Sequence, residues 1–313
     1  MRILLHRADA NTEPWIRDFG ELLPEAEIVV WRDGVPCAPA EPCDYAVLWS
    51  PPAKMVPELA RVKAIFLTGA GADALMKFSH AIPPEVPIVR LGDAGMGLQM
   101  AEYVAHAVLR YFRRFDQYEA QAREGQWRAL PQHQKQDFSV GVLGLGALGC
   151  RVLPVLAQLG FPLRGWSRSP KSLPGVSCFS GADGLDEFLH GTRVLVCMLP
   201  LTGATSNLLD RANLSKLQPG AYLINVARGA HLVEADLLGL IKSGQVAGAT
   251  LDVLRDEPPA RQHPFWREPR ITLTPHISAL TLRYESIMQI AGKIGALESG
   301  APIADVVNRS QGY

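Results

Sequence analysis

The sequence predicts an α/β protein in which helices cover two parallel β-sheets that belong to two domains. Short apolar, β-branched runs alternate with helical stretches along the whole chain, which is typical of parallel sheets. The chain has 313 residues, of which 48% are hydrophobic, and this is enough to fill two cores. A glycine-rich strand–turn–helix pattern begins only near residue 138, so we expect one α/β unit to precede another.

The first third of the chain contains five predicted strands, with a helix after the first. This helix is capped by Asn11 or Thr12 and has Pro14 in its first turn. The predicted strands are Ile3–Leu5, Glu27–Trp31, Tyr45–Trp49, Ala64–Thr68 and Ile88–Leu91. The run Gly69-Ala-Gly-Ala72 follows the fourth strand and opens another helix; it suits either a plain turn or a backbone-lined anion site.

Two helices, Gln99–Arg114 and a second one through Arg123, lead to a polar segment over 126–137. Trp127 is the one tryptophan of that segment. A tryptophan in such a place indicates either a contact with a partner subunit or local packing.

A second alternating unit begins at Phe138. Its predicted strands are Phe138–Leu143, Leu163–Trp166, Arg193–Met198, Ala221–Val226, Ala247–Asp252 and Ile271–Thr274. The helices include Leu148–Leu159 and Glu234–Lys242, and a helix from about Leu280 to Glu298 closes the chain. We therefore predict a discontinuous domain of residues 1–97 and 284–313, into which a domain of residues 98–283 is inserted. A ligand cleft is expected where the two meet.

The glycine-rich turn of the second unit predicts dinucleotide binding. In Gly-Leu-Gly-Ala-Leu-Gly, the first glycine permits a tight turn, the second lets the backbone approach a pyrophosphate, and the third lets helix and strand pack closely. The N-terminus of the next helix offers unpaired N–H groups to the phosphates. The predicted binding residues of this turn are Gly144, Gly146, Ala147, Leu148 and Gly149.

The second strand of a nucleotide-binding unit normally ends in a carboxylate that accepts the adenosine ribose hydroxyls. Here it ends in Arg-Gly-Trp-Ser-Arg-Ser, without a carboxylate. Ser167, Arg168 and Ser169 instead offer hydrogen-bond donors and a guanidinium, which complement a 2′-phosphate. NADP(H) is therefore the predicted cofactor, and NAD(H) remains the alternative.

Charge and cysteine content exclude several other classes of protein. The formal net charge is zero, which gives no indication of a nucleic-acid partner. The five cysteines, Cys37 among them, show no metal-ligand spacing, so no metal is expected; Cys197 lies in an apolar run and is expected to be buried. No apolar run has the length of a signal peptide or a membrane span, so a cytoplasmic protein is the simplest interpretation.

Polar residues come after three successive strands of the second unit, at the edge where α/β sheets bind ligands. Arg228 follows one strand, Asp252 and Glu257 follow the next, and His276 follows the last. Reduction of a 2-keto acid needs such groups. An arginine holds the carboxylate and polarises the ketone, and a histidine kept charged and oriented by a carboxylate supplies a proton. We assign these roles to Arg228, His276 and Glu257, and we expect Asp252 to accept from the nicotinamide carboxamide.

The order of these motifs resembles the D-isomer-specific 2-hydroxyacid dehydrogenases. The glycine turn is followed by Asn-Val-Ala-Arg-Gly, Asp-Val-x₃-Glu-Pro and Thr-Pro-His. Leu-Trp-Ser-Pro-Pro, Thr-Gly-Ala-Gly-Ala-Asp, Gly-Met-Gly-x-Gln-Met and Trp-Ser-Arg-Ser resemble, more narrowly, the bacterial glyoxylate/hydroxypyruvate-reducing members. The similarity extends through the whole chain.

The resemblance implies two Rossmann-like domains, of which the discontinuous, flavodoxin-like one binds substrate. It implies a homodimer that reduces glyoxylate to glycolate and hydroxypyruvate to D-glycerate with NADPH. The substrate carboxylate is expected at Ala70 and Gly71, with Trp49 at the pocket border and with Arg228 and His276 touching substrate. Further nucleotide contacts are expected from Leu199, Pro200, Thr205, Val226 and Ala227.

Two alternatives remain. The same chemistry could act on a bulkier 2-keto acid, although Trp49 and Trp266 would favour a small pocket if both lined it. A nucleotide-sensing regulatory protein could also have this fold. A methyltransferase is disfavoured because it has no use for the arginine, carboxylate and histidine together.

Overall fold

The structure, a computed structural model, describes residues 1–34 and 42–313, so Cys37 lies outside the described residues. This part of the chain divides into two compact units. The first consists of Met1–Gly95 together with Thr281–Tyr313, and the second is Met96–Leu280. The second unit therefore interrupts the first in sequence.

The first unit contains a five-stranded sheet in the order β2-β1-β3-β4-β5, and every pairing in it is parallel. This is the flavodoxin-like order. Its strands are β1 (Arg2–Arg7), β2 (Glu27–Val30), β3 (Tyr45–Trp49), β4 (Ala64–Leu67) and β5 (Ile88–Val89). Its helices are α1 (Glu13–Leu22), α2 (Val56–Leu59), α3 (Asp73–Met76) and α10 (Arg283–Glu298).

Helix α1 begins after Thr12 and has Pro14 in its first turn, as predicted, although the Thr12 side chain makes no capping hydrogen bond. It packs against α10, in which Ile287, Ile290 and Ile294 are buried three or four positions apart. This spacing places the three isoleucines on one face of the helix, so the last segment of the chain completes the unit that the first segment begins.

The second unit contains a seven-stranded parallel sheet in the order β12-β11-β10-β9-β6-β7-β8. This order extends the Rossmann arrangement by one strand. The strands are β6 (Val140–Leu143), β7 (Leu163–Ser167), β8 (Val176–Ser180), β9 (Val194–Cys197), β10 (Ala221–Asn225), β11 (Val246–Leu251) and β12 (Ile271–Leu273). The helices are α4 (Met96–Phe112), α5 (Phe115–Arg123), α6 (Ala147–Gln158), α7 (Gly181–His190), α8 (Arg211–Leu214) and α9 (Glu234–Ser243).

Both faces of this sheet are buried, which explains its continuous apolar strands. Because side chains alternate along a strand, Val194 and Val196 join one hydrophobic cluster while Leu195 and Cys197 join another. Cys197 is buried as predicted, and burial raises the pKa of its thiol to about 12.

The predicted α/β class with two parallel sheets is confirmed, but strand β8 is absent from the sequence-based assignment. It lies at the edge of the sheet, and none of its residues is fully buried. Its side chains, Val-Ser-Cys-Phe-Ser, therefore show neither the apolar run nor the strict alternation of a buried strand. In the described parts of the chain, no helix combines the length and apolarity needed to cross a membrane.

Candidate active site

The candidate site lies at the carboxyl edge of the seven-stranded sheet. Six of its strands lead there into the turns that the sequence singled out, because parallel strands all end at the same edge. The segments at this edge begin after β6, β7, β9, β10, β11 and β12. The predicted nucleotide and catalytic residues of the second unit therefore share one edge.

The glycine turn after β6 has the geometry that its sequence predicts. Gly144 has a φ of +117°, and a Cβ there would lie 2.8 Å from the Met198 carbonyl carbon. A Cβ on Gly149 would lie 2.1 Å from Gly144 O, so α6 packs against the turn at a distance that only glycine allows. Gly146 has open space around its Cα, which fits a phosphate approaching the N-terminus of α6.

The last residue of β7 and the segment after it carry the groups expected to recognise a 2′-phosphate. Ser167 is buried and its hydroxyl donates to Ser169 O at 2.8 Å, while Arg168 and Ser169 are exposed. Lys171, a residue not singled out in the sequence, donates from Nζ to Leu145 O inside the glycine turn. Because no carboxylate occurs at this strand end, the donors present fit an NADP phosphate better than an NAD ribose.

Two loops that come after neighbouring strands are joined by a histidine not singled out in the sequence. Thr205 Oγ1 donates to Pro200 O at 2.7 Å, which closes the loop after β9. His231 is fully buried; its Nε2 lies 3.3 Å from Pro200 O and its Nδ1 lies 2.9 Å from Arg228 O. Leu199, Val226 and Ala227 are also buried, whereas Arg228 is half-buried.

Glu257 and His276, two of the predicted site residues, form a hydrogen-bonded pair. His276 Nδ1 lies 2.8 Å from Glu257 Oε2, and the two side chains are 46% and 39% exposed. The other carboxylate oxygen, Oε1, accepts from Leu254 N at 3.0 Å, which fixes the carboxylate on two sides. The bond at Nδ1 leaves His276 Nε2 as the ring nitrogen to face a ligand.

The turn that carries Arg228 lies directly against the turn that carries Glu257. A Cβ on Gly229 would lie 1.8 Å from the Leu254 carbonyl carbon, so the two main chains touch where Gly229 follows Arg228. Leu254 N is the group that binds Glu257, and Arg228 Nη1 donates to Ala227 O at 2.7 Å. The structure thus brings the arginine turn and the carboxylate–histidine pair together within one unit.

Asp252 has a different immediate environment from the one expected of a ligand-facing carboxylate. It is 1% exposed, and its oxygens accept hydrogen bonds from Thr274 Oγ1, Ile277 N and Ser278 N at 2.6–2.8 Å. These contacts organise the loop around His276. A carboxylate has about four acceptor positions, so a nicotinamide amide would have to use the remaining one.

The predicted substrate residues of the first unit lie at the carboxyl edge of its sheet: Trp49 is the last residue of β3, and Ala70 and Gly71 come after β4. The Trp49 side chain is 43% exposed, and the Arg7 guanidinium lies 4.9 Å from its ring centroid. Ala70 is half-buried and Gly71 is exposed. Across residues 1–34 and 42–313, no group of three or more His, Cys, Asp or Glu side chains could hold a metal ion.

Comparison with known proteins identifies the family. Residues 105–278 match the model of the D-isomer specific 2-hydroxyacid dehydrogenase NAD-binding domain. The chain belongs to this family. Over their full lengths, this dehydrogenase is 45% identical to a glyoxylate/hydroxypyruvate reductase A from Serratia proteamaculans and 43% identical to one from Yersinia enterocolitica.

Solved structures agree with this assignment. A D-isomer specific 2-hydroxyacid dehydrogenase from Xanthobacter autotrophicus Py2, in complex with NADPH and MES, superimposes with a TM-score of 0.94 at 36% identity, covering 100% of this chain and 99% of that one. An NADPH-dependent glyoxylate/hydroxypyruvate reductase from Sinorhizobium meliloti, in complex with NADP and sulfate, gives 0.91 at 32% identity, with the same coverage. The family and the two-domain Rossmann fold predicted from the sequence are both confirmed.

Proposed function

We propose that this dehydrogenase reduces small 2-keto acids with NADPH, converting glyoxylate to glycolate and hydroxypyruvate to D-glycerate. The observation that carries the proposal is the Glu257–His276 pair, with Nδ1 and Oε2 2.8 Å apart at the edge of the nucleotide-type sheet. The full-length relatives named glyoxylate/hydroxypyruvate reductase A support the choice of substrates.

His276 is the proton donor in this proposal. Glu257 accepts from Nδ1 and so orients the ring and stabilises its charged form, which leaves Nε2 to protonate the ketone oxygen. Arg228 binds the substrate carboxylate by paired hydrogen bonds and polarises the carbonyl, because a guanidinium presents several donors in a fixed plane. The protein supplies orientation and a proton, and bound NADPH supplies the hydride.

The residues proposed to hold NADP(H) fit it by their chemistry. The open approach at Gly146 and the N-terminus of α6 suit the pyrophosphate, and Ser167, Arg168, Ser169 and Lys171 suit the 2′-phosphate. Solved relatives that contain NADPH or NADP support this choice. The remaining contacts are assigned to Gly144, Ala147, Leu148, Gly149, Leu199, Pro200, Thr205, Val226, Ala227 and Asp252.

The finer statements are proposals of the same kind. We assign substrate binding to residues 1–97 and 284–313, with Trp49, Ala70 and Gly71 contributing, and nucleotide binding to residues 98–283. The compact units Met1–Gly95 with Thr281–Tyr313 and Met96–Leu280 support this division. We further propose a cytoplasmic homodimer.

The test is a panel of 2-keto acids assayed by nucleotide oxidation, with NADPH and NADH at equal concentration. We expect turnover of glyoxylate and hydroxypyruvate, a higher kcat/KM with NADPH, and a loss of about 100-fold or more in kcat for His276→Ala, since general acid catalysis contributes that much. Unchanged kcat in His276→Ala would remove this residue from the mechanism. Better use of NADH would refute the cofactor assignment, and preference for a bulky keto acid would refute the substrate assignment.

A further inference from the structure

A chain of hydrogen bonds runs from helix α4 to the loop that carries His276. The Tyr103 hydroxyl lies 2.5 Å from Thr274 Oγ1, and Thr274 Oγ1 lies 2.6 Å from Asp252 Oδ1. A carboxylate oxygen only accepts, so the Thr274 hydroxyl donates to Asp252 and must accept from Tyr103. Burial raises the pKa of Tyr103 to about 12, which keeps its hydroxyl protonated as the donor at the start of the chain.

Asp252, at the other end of the chain, holds the His276 loop on both sides. Its carboxylate accepts from Thr274 before His276 and from Ile277 N and Ser278 N after it, the latter two at 2.8 Å. Its main-chain oxygen accepts from His276 N at 2.9 Å. One buried residue therefore fixes four positions of a five-residue loop.

The loop needs this support because His276 has an unfavourable backbone conformation. Its φ is +56°, in the left-handed region. That region is disfavoured for a residue with a Cβ, and such strain persists only where surrounding contacts over-determine it. The hydrogen bonds to Asp252 provide those contacts.

We propose that Tyr103 and Thr274 are positioning residues for His276, and that they act by fixing the Asp252 carboxylate at the centre of the loop. This inference rests on the proposed role of His276 as proton donor. Charge-assisted O–H···O⁻ bonds are short and strong, so the Thr274 bond to Asp252 is the stiffest part of the chain. The Tyr103 hydroxyl occupies the remaining hydrogen-bonding position of Thr274 and prevents its rotation.

The test compares Tyr103→Phe, Thr274→Val and Thr274→Ser. Phe keeps the packed ring and removes one oxygen atom, and Ser keeps the hydroxyl that Val lacks. We expect kcat to fall roughly 5- to 20-fold in Tyr103→Phe and more in Thr274→Val, because small misplacements of catalytic groups cost up to about 100-fold. Thr274→Ser should recover most of the turnover that Val loses.

A second readout separates positioning from general destabilisation. Weaker proton donation should enlarge the solvent deuterium isotope effect on kcat, while the Kd for NADPH, measured by fluorescence, stays near the wild-type value. The double variant should lose little beyond Thr274→Val, since both residues act through one chain. Tyr111→Phe is the matched control: Tyr111 also lies in α4, and its hydroxyl donates to Gly220 O at 2.5 Å rather than to Thr274. It should keep the wild-type isotope effect and kcat.

Several results would overturn the proposal. One is a wild-type kcat and isotope effect in both Tyr103→Phe and Thr274→Val. Another is a kcat for Thr274→Ser no higher than that for Thr274→Val. The third is a loss of NADPH affinity in parallel with the loss of kcat. If Thr274→Val does not fold, the kcat and isotope effect of Tyr103→Phe alone decide.

Assaying His276→Ala alongside these variants keeps the two proposals distinct. Unchanged kcat in His276→Ala refutes the proposed role of His276 as proton donor. A large loss of kcat in His276→Ala, with normal Tyr103→Phe and Thr274→Val, refutes only the positioning chain.

Discussion

Gly229 and His276 occupy backbone positions that other residues would not readily take, for different reasons. Gly229 lies where the main chain at Leu254 leaves no room for a Cβ, whereas His276 has a left-handed φ of +56°. The first position sets how closely the arginine turn approaches the carboxylate turn. The second sets the direction in which the side chain of His276, the proposed proton donor, leaves the main chain. Local backbone geometry therefore determines much of the site before any ligand binds.

Gly229→Ala should lower kcat more than the addition of one methyl group would suggest. The new methyl carbon would lie 1.8 Å from the Leu254 carbonyl carbon, so the main chain must move, and Leu254 N is a hydrogen-bond donor to Glu257. We expect a loss of about 1–3 kcal/mol in stability and, as the pair shifts, up to about 100-fold in kcat. Steady-state kinetics and thermal unfolding measure both.

Gly292→Ala is the control for this change. Gly292 lies inside α10 with nothing near its Cα, so alanine there should be neutral or stabilise the chain by about 0.5–1 kcal/mol. If Gly229→Ala matched Gly292→Ala in activity, the close approach at Leu254 would not position Glu257.

Glu257→Gln should lower kcat by roughly 10- to 100-fold, a part of what general acid catalysis contributes. The carboxylate accepts from Leu254 N at one oxygen and binds His276 Nδ1 at the other. A glutamine has a single oxygen, so one of these two donors would face an NH₂ group. Steady-state kcat measures the effect, and KM for NADPH should change little.

Glu234→Gln provides a chemical match for this variant. Glu234 also bridges a main-chain N–H, that of Arg255 at 3.2 Å, and a histidine ring nitrogen, His263 Nε2 at 3.1 Å. The Glu234→Gln variant should have a lower free energy of unfolding than the wild type and an unchanged kcat. Equal kcat values for Glu257→Gln and the wild type would show that the pair is not catalytic.

At the scale of secondary structure, the sequence predicts which strands are buried and which polar residues come after them. It predicts few of the side-chain hydrogen bonds that join one helix, strand or loop to another. Polar residues after apolar strands identified the site edge, because parallel strands end together. The contact of Tyr103 with Thr274 joins residues 171 positions apart and has no local signature. Asp252 was expected to face nicotinamide because of its place after a strand, yet only the fold reveals the three loop donors around it.

The packing of α1 on α10 gives a prediction for acid pH. Arg283 Nε donates to Asp18 Oδ2 at 2.5 Å, and this bond holds the pKa of the Asp18 carboxyl below its usual 3.8. A depressed carboxyl pKa stabilises the folded chain above the unfolded value, and the contribution is lost as pH falls through the folded value. Asp18→Asn should therefore lower Tm at pH 7, and the difference should shrink below about pH 4.

The expected cost at pH 7 is about 1–2 kcal/mol, less than for a fully buried pair because Arg283 is 37% exposed. Asp33→Asn is the control, since Asp33 pairs with Lys54 where both side chains are more than 60% exposed. It should leave Tm nearly unchanged. An Asp18→Asn difference that persisted undiminished at pH 3 would contradict the ion-pair explanation. Calorimetric scans at several pH values measure it.

For the whole molecule, Trp127 is an exposed aromatic residue that packing among the described residues does not explain. Its side chain is 100% exposed, so the local packing considered for it is excluded. The segment that carries it is nevertheless anchored, since Leu130 N donates to the Tyr118 hydroxyl at 3.0 Å. An ordered segment with a fully exposed tryptophan is typical of a surface that another subunit covers, because tryptophan is enriched among the residues that contribute most to interface binding energy.

Trp127→Glu should therefore weaken the proposed homodimer. Truncation of a dominant interface tryptophan costs about 2 kcal/mol or more, which raises the dimer Kd about 30-fold, and a buried carboxylate adds to this. Sedimentation velocity over a range of concentrations should show the monomer of Trp127→Glu persisting to higher protein concentration than the wild-type monomer does.

Trp266→Glu is the matched control, because Trp266 is 54% exposed and its Nε1 donates to Ala260 O. An unchanged monomer fraction in Trp127→Glu would place the indole outside any dimer contact, and a wild-type chain that is monomeric at every concentration would remove the dimer itself.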